Sequence, residues 1–285
     1  MNSGVVIGGG RWGRIIAEKL SMLGVRVVVA TNFPSTSTDI SREDIALLNP
    51  APSLIFVVSK SIYHERDFEL VASLGAHVWI EKNFSGMSTS LLVRFLKGDN
   101  FVFNQQLFNT SLDRHADIIK SASDFRIATD VDRVIITCID LFDWICHDLS
   151  LIARILWLRG ETVPLTITTN TVQFSLRVCT AQYVINGIGF NVVLKESPLR
   201  CRTVTLGEEA TLVSGRDGVL WSQSGYGRTD VPGGVTADED LLGSALKVAL
   251  HSRTEDVRSL TKIAIDLHRV TFPLVSKLNY KRNLP

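Results

Sequence analysis

The chain has 285 residues, of which 45% are hydrophobic and 21% charged, and its net charge is +1. This is a globular composition with room for two domains of ordinary size. No run of Lys or Arg is long enough to track a phosphate backbone, and no apolar stretch is long enough to span a bilayer. Nucleic acid and membrane are therefore not expected partners.

The first segment, Val5-Val6-Ile7, reads as a buried strand. Gly8-Gly9-Gly10-Arg11-Trp12-Gly13 follows with glycines at the G-x-G-x-x-G positions, and Ile15 to Leu20 continues with helical spacing. In such a turn Gly8 permits the tight bend, Gly10 lets the backbone approach a pyrophosphate, and Gly13 lets the helix pack on the strand. The helix N-terminus then offers unpaired N–H groups to phosphates.

Val25 to Val29 predicts a second buried parallel strand, and Thr31 to Ser41 is turn-rich. Ser41 to Leu48 predicts a short capped helix. Leu54 to Val58 predicts a strand after Pro50 and Pro52, and Glu65 to Leu74 a helix closed by Gly75. Ala76 to Ile80, Leu91 to Leu96 and Phe101 to Phe103 read as strand, helix and strand. That alternation describes a doubly wound parallel α/β sheet over residues 1–104, a dinucleotide-binding domain of Rossmann type.

The pattern changes near residue 105. Helices are expected at Leu112 to Ala122 and Asp143 to Leu158, with a compact segment from Ser123 to Phe142 between them. Val172, Phe174, Leu176 and Val178 alternate with polar residues, the period of a half-buried strand. Gly207-Glu208-Glu209 and Gly215 to Gly218 predict hairpin turns. Two helices, about Asp238 to Leu250 and Glu255 to Leu267, close the pattern, and Lys277, Lys281 and Arg282 read as a solvated end. Residues 105–285 are thus expected to form an α+β domain on a largely antiparallel open sheet. Cys138, Cys146, Cys179 and Cys201 show neither C-x-x-C nor zinc spacing, so no metal site is expected. They suit a reducing compartment. With no basic leader before the apolar start, a cytoplasmic location is expected.

Three features together resemble the glucose-fructose oxidoreductase and inositol dehydrogenase family. They are the glycine turn, Gly75-Ala76-His77-Val78-Trp79-Ile80-Glu81-Lys82 at a strand end, and Asp143-Trp144-Ile145-Cys146-His147-Asp148 opening a helix. Ser59-Lys60-Ser61-Ile62-Tyr63-His64 stands where that family has a "T-P-N-x-x-H" loop. The resemblance implies an NAD(P)-dependent dehydrogenase or reductase acting on a sugar-like small molecule, commonly as a dimer. It implies Lys82, Asp143 and His147 as the catalytic set. It also implies cofactor contacts from Gly8, Gly10, Arg11, Trp12 and Gly13, from Thr31 and Asn32, and from Ser59, Lys60, His64 and Glu81.

The residues read on their own suit those roles. Lys82 follows a buried strand at the carboxyl edge of a parallel sheet, where open α/β sheets bind ligands; an ordinary surface lysine is the plainer reading. Asp143 and His147 are four apart on a helix and share a face, so the carboxylate can orient the imidazole for acid–base work. A capping Asp beside a part-buried His is the plainer reading there. Asp148 points about 100° away from His147, which leaves it a substrate-binding role.

The chain departs from the family's pattern in three places. No acid follows Val29, where NAD-preferring folds bind the ribose 2′-hydroxyl; Ala30, Thr31, Asn32 and Phe33 stand there instead. With Arg11 in the turn to supply charge, NADP(H) is favoured over NAD(H). Asn83 replaces the family's proline, and a non-proline cis bond costs about 2.5–4 kcal/mol, so a trans peptide is expected. The Ser59–His64 loop also lacks the usual proline and asparagine. Two alternatives stand beside the dehydrogenase: an imine reductase of a biosynthetic pathway, and a dinucleotide-binding sensor without chemistry.

Overall fold

The computed structural model describes residues 3–82, 87–131, 138–175, 177–198, 201–208, 210–214, 220–222, 240–251 and 255–282. The chain divides into two compact units, Met1–Asn104 with Leu246–Thr261, and Gln105–Ala245 with Lys262–Pro285.

In the first unit, six strands form an all-parallel sheet: β1 Ser3–Ile7, β2 Arg26–Thr31, β3 Asp39–Ser41, β4 Leu54–Val57, β5 His77–Glu81 and β6 Asn100–Phe103. Their order is β3-β2-β1-β4-β5-β6, the doubly wound order with its reversal between β1 and β4. β1 and β4 are continuous apolar runs because helices cover both faces of such a sheet. Helices α1 (Arg11–Met22), α2 (His64–Val71) and α3 (Thr89–Lys97) are its crossovers. Phe56, Trp79, Phe101 and Phe103 pack ring against ring along β4, β5 and the edge strand β6. Leu246–Thr261, which sequence position assigns to the second domain, packs here instead. The Val102 amide donates to Thr261 Oγ1 at 3.3 Å, and Arg258 pairs with Asp99.

The second unit carries a seven-stranded mixed sheet. Its strands are β7 Asp124–Val131, β8 Ile167–Ser175, β9 Val178–Ile185, β10 Ile188–Glu196, β11 Cys201–Leu206, β12 Ala210–Ser214 and β13 Leu220–Ser222. The order is β13-β12-β11-β7-β10-β9-β8, antiparallel throughout except that β7 pairs parallel with β10. The helices are α4 (Ala116–Ser121), α5 (Cys138–Leu158), α6 (Leu241–His251) and α7 (Glu255–Arg282), the last two each entering both units. Fold class is therefore a Rossmann-like parallel sheet plus an α+β unit with a largely antiparallel sheet.

Five details differ from expectation. The turn-rich stretch after β2 contains the edge strand β3, and the helix expected from Ser41 is a 3-10 turn, Glu43–Leu47, without a side-chain cap. The region from Leu112 is likewise half 3-10, Thr110–His115, before α4 begins. The alternation from Val172 to Val178 is not one strand. Ser175 pairs with Val178 across a hairpin, and Arg177 takes a φ of +62°. The segment after Ser123 is the strand β7, central to its sheet, whose Phe125, Ile127, Thr129 and Val131 are buried. The turn expected at Gly207 joins β11 to β12, while the one at Gly215 to Gly218 lies outside the described residues.

Candidate functional site

The glycine turn sits at the reversal point of the parallel sheet. Gly8 leaves β1 with a φ of +132°, and a Cβ there would lie 3.0 Å from the Ser59 amide nitrogen and the Val58 carbonyl beyond β4. A Cβ on Gly13 would lie 1.8 Å from the Gly8 carbonyl oxygen, so only glycine lets α1 approach this closely. Gly10 is different: apart from its chain neighbours, no atom of the described residues lies within 4 Å of where its Cβ would be, and its φ of −71° is one any residue adopts. Its backbone borders open space at the N-terminus of α1. That terminus has no side-chain cap and no acid in its first turn, so its amides carry their partial positive charge unopposed. Gly8 and Gly13 serve the fold, whereas the cradle at Gly10 fits the pyrophosphate of a dinucleotide. Arg11 is exposed beside it, and Trp12 is half-buried.

The end of β2 closes one side of this edge. A Cβ on Gly9 would meet Thr31 Oγ1 at 2.7 Å, so Thr31 lies over the turn; Asn32 and Phe33 are exposed. The first acid after β2 is Asp39. Arg14 on α1 binds both its oxygens, Nη1 to Oδ1 at 2.5 Å and Nη2 to Oδ2 at 2.6 Å. The Ser35 and Thr36 amides and hydroxyls donate to it as well. The Arg14 guanidinium and these loop donors hold the Asp39 carboxyl far below the usual carboxylate range. Both partners are committed to bracing the loop.

The loop after β4 is braced from beneath. Ser59 donates its hydroxyl to the buried Asp67 at 2.6 Å, and Arg42 donates to the same carboxylate at 2.7 Å. The His64 ring is buried, with Nε2 2.9 Å from the Ser59 carbonyl. Of the three loop residues expected to meet a cofactor, Ser59 and His64 thus face inward and shape the loop, while Lys60 is exposed. Lys82 follows Glu81 at the end of β5, on the same carboxyl edge as Gly8, Thr31 and Ser59, with 6% of its surface exposed. Asn83 lies outside the described residues.

Asp143 and His147 lie in the second unit, on α5. The Asp143 side chain is outside the described residues. His147 is partly exposed and its ring lies 5.7 Å from that of Trp144, one turn earlier. Trp144 packs on Val131, Cys179 and Leu194 of the sheet. Asp148 is enclosed completely and so cannot receive a substrate as first expected. Its Oδ1 accepts from Thr129 Oγ1 at 2.8 Å, Arg202 Nε at 3.0 Å and Arg202 Nη2 at 2.9 Å. Burial raises its pKa above the ordinary value, against the pull of Arg202. Sequence reasoning missed Trp144 and Arg202. The Trp144–His147 spacing of three was a legible signal for the first; Arg202 is distant in sequence and gave none.

Among the described residues no three His, Cys, Asp or Glu side chains could hold a metal ion together, and no helix is long and apolar enough to cross a membrane.

No protein-family model matches the chain, and no curated protein matches it in sequence. Solved structures do share its fold. A dehydrogenase from Clostridium difficile aligns with a TM-score of 0.71 at 14% identity, over 97% of this chain and 99% of that one. UDP-N-acetylglucosamine 3-dehydrogenase from Acidithiobacillus ferrooxidans aligns with a TM-score of 0.60 at 15% identity, over 96% and 99%. Biliverdin reductase from Synechocystis, solved with biliverdin and NADP+, aligns with a TM-score of 0.60 at 15% identity, over 94% and 98%. At these identities the likeness is one of fold, extending over both units.

Proposed function

We propose that the protein is an NAD(P)-dependent oxidoreductase that moves a hydride between nicotinamide C4 and a carbonyl or alcohol carbon of a sugar-like small molecule. The observation that carries this reading is the contrast between Gly13, required by the fold, and Gly10, which borders open space at an uncapped helix N-terminus. The company of dehydrogenases and an NADP+-bound reductase among proteins of this fold supports it.

A bound nicotinamide supplies or accepts the hydride. The protein's own residues hold the dinucleotide and manage the proton. Amides at the start of α1 hold the pyrophosphate. Lys82 polarises the substrate oxygen with its ammonium, and His147 gives that oxygen a proton in reduction or takes one in oxidation, oriented by Asp143. NADP(H) is preferred because no carboxylate is available at the end of β2: Asp39 is fully occupied by Arg14, Ser35 and Thr36. Arg14 is neutralised in the same pair, which leaves Arg11 as the cation for a 2′-phosphate.

The test is Gly10→Ala with NADPH titrated by fluorescence. Stability should stay within about 0.5 kcal/mol of the parent, while NADPH affinity falls at least about tenfold. Arg11→Ala should weaken NADPH about tenfold more than NADH. Unchanged affinity in Gly10→Ala would sink the dinucleotide reading. Tight NADPH binding without oxidation by any of a panel of keto-sugars and imines would leave a sensor instead.

A further inference from the structure

The inner face of α5 is almost wholly apolar, with Ile145, Leu149, Ile152 and Leu156 buried on it. Apolar contact is non-directional and does not by itself fix how a helix is rotated about its axis. Asp148 is the exception on that face. Its Oδ1 is held by Thr129 on β7 and Arg202 on β11, which are directly opposite each other in the sheet register. Arg202 Nε also donates to Thr129 Oγ1 at 3.1 Å, closing a triangle of hydrogen bonds. Three directional bonds to two adjacent strands pin one point of α5 both along and around its axis.

His147 is the residue immediately before that point, about 100° around the helix. A helical side-chain tip lies about 5–6 Å from the axis, so a rotation of about 10° displaces it by about 1 Å. Misplacement on that scale can cost about a hundredfold in rate. We propose that Asp148 is a positioning residue, which through Thr129 and Arg202 fixes the rotation of α5 and so the direction in which His147 faces. The catalytic part of this inference rests on His147 being the acid–base; the geometric part does not.

The polar groups on the neighbouring elements are buried as well. Tyr183 on β9 is buried, and its hydroxyl is pushed far above its usual pKa by burial. Cys146 on α5 and Cys179 on β9 are buried, and Cys146 Sγ lies 3.9 Å from Nδ1 of His268 on α7.

The experiment compares Asp148→Ala, Asp148→Asn and Thr129→Val in the full chain, reading the imidazole proton resonances of His147 by NMR and then kcat and KM. Asp148→Ala and Thr129→Val should both shift the His147 resonances and its titration midpoint. They should lower kcat about tenfold to a hundredfold with KM unchanged, Thr129→Val by the smaller factor. Asp148→Asn keeps an oxygen acceptor for both donors and should hold kcat within about fivefold of the parent. Parent-like His147 resonances in folded Asp148→Ala, or in Thr129→Val should the alanine variant not fold, would overturn the proposal. His147→Ala is the separate control: unchanged turnover there defeats the acid–base reading, while the NMR comparison still decides the positioning.

Discussion

Asp39 and Asp148 are both covered carboxylates paired with an arginine, one in each unit, and burial and bonding move them in opposite directions. At Asp39 the donors are spread over both oxygens, from Arg14, Ser35 and Thr36, close to the surface. At Asp148 all three bonds converge on Oδ1, and Oδ2 is buried with no hydrogen-bond partner among the described residues. Hydrogen bonding therefore wins at Asp39, whose carboxyl stays ionised far into acid, whereas desolvation wins at Asp148 and raises its pKa. An arginine partner alone does not set the sign; the balance between desolvation and the donors does.

Removing the acid at each site should separate the pair most widely. Asp148→Ala leaves Arg202 buried without a counter-charge and should cost about 3–5 kcal/mol in urea unfolding. Replacing both partners by apolar residues, Asp148→Leu with Arg202→Met, should recover most of that loss, because the isolated charge and not the missing bond carries the cost. A double variant as unstable as the single one would show that the hydrogen-bond triangle itself dominates.

The two sites should also pull in opposite directions on the pH dependence of stability. For Asp39 the folded pKa lies below the unfolded one, so its contribution is complete above the ordinary carboxylate value and is lost as pH falls through the folded value. For Asp148 the folded pKa lies above the unfolded one. The native state then binds the extra proton, and stability declines as pH rises from the ordinary carboxylate value through the raised one. Melting temperature against pH should therefore lose its acid-side fall in Asp39→Asn and its decline above the carboxylate range in Asp148→Asn. Parallel curves for the two variants would erase the distinction.

The same contrast explains how much of the molecule could be read from its residues. The parallel sheet was legible because strands covered on both faces must be apolar throughout, as in Val5 to Ile7 and Leu54 to Val57. β3 escaped because an edge strand of three residues, Asp39–Ser41, has no apolar run to announce it. β7 carried a readable alternation, Phe125, Ile127 and Val131, but polar Thr129 interrupts its buried series, and that residue is there for Asp148. The glycine turn was legible as a motif, and so were the bend at Gly8 and the close packing at Gly13, because the motif's spacing carries those roles. The distance that enforces the second, the approach of Gly8's carbonyl to Gly13, comes only from the folded chain. The bracing of the Ser59–His64 loop was not legible for a similar reason: Asp67 and Arg42, which hold it from beneath, come from a neighbouring helix turn and a distant segment.

The smallest expected effect concerns the arginines. Arg14 keeps about a third of its side chain exposed (32%), whereas Arg202 keeps 9%. Solvent and salt screen the first pair, so Arg14→Ala should cost no more than about 1 kcal/mol, and less in 0.5 M salt. Its effect should instead be local. Asp39 would still accept from the Ser35 and Thr36 amides, but the loop would lose its tie to α1, and amide exchange at residues 33–36 should speed up while the core strands stay protected. If Arg14→Ala instead destabilised the whole chain as strongly as removing Asp148, the surface pair would be an anchor too. The asymmetry between the two carboxylates would then reflect their pKa values and not their work in the fold.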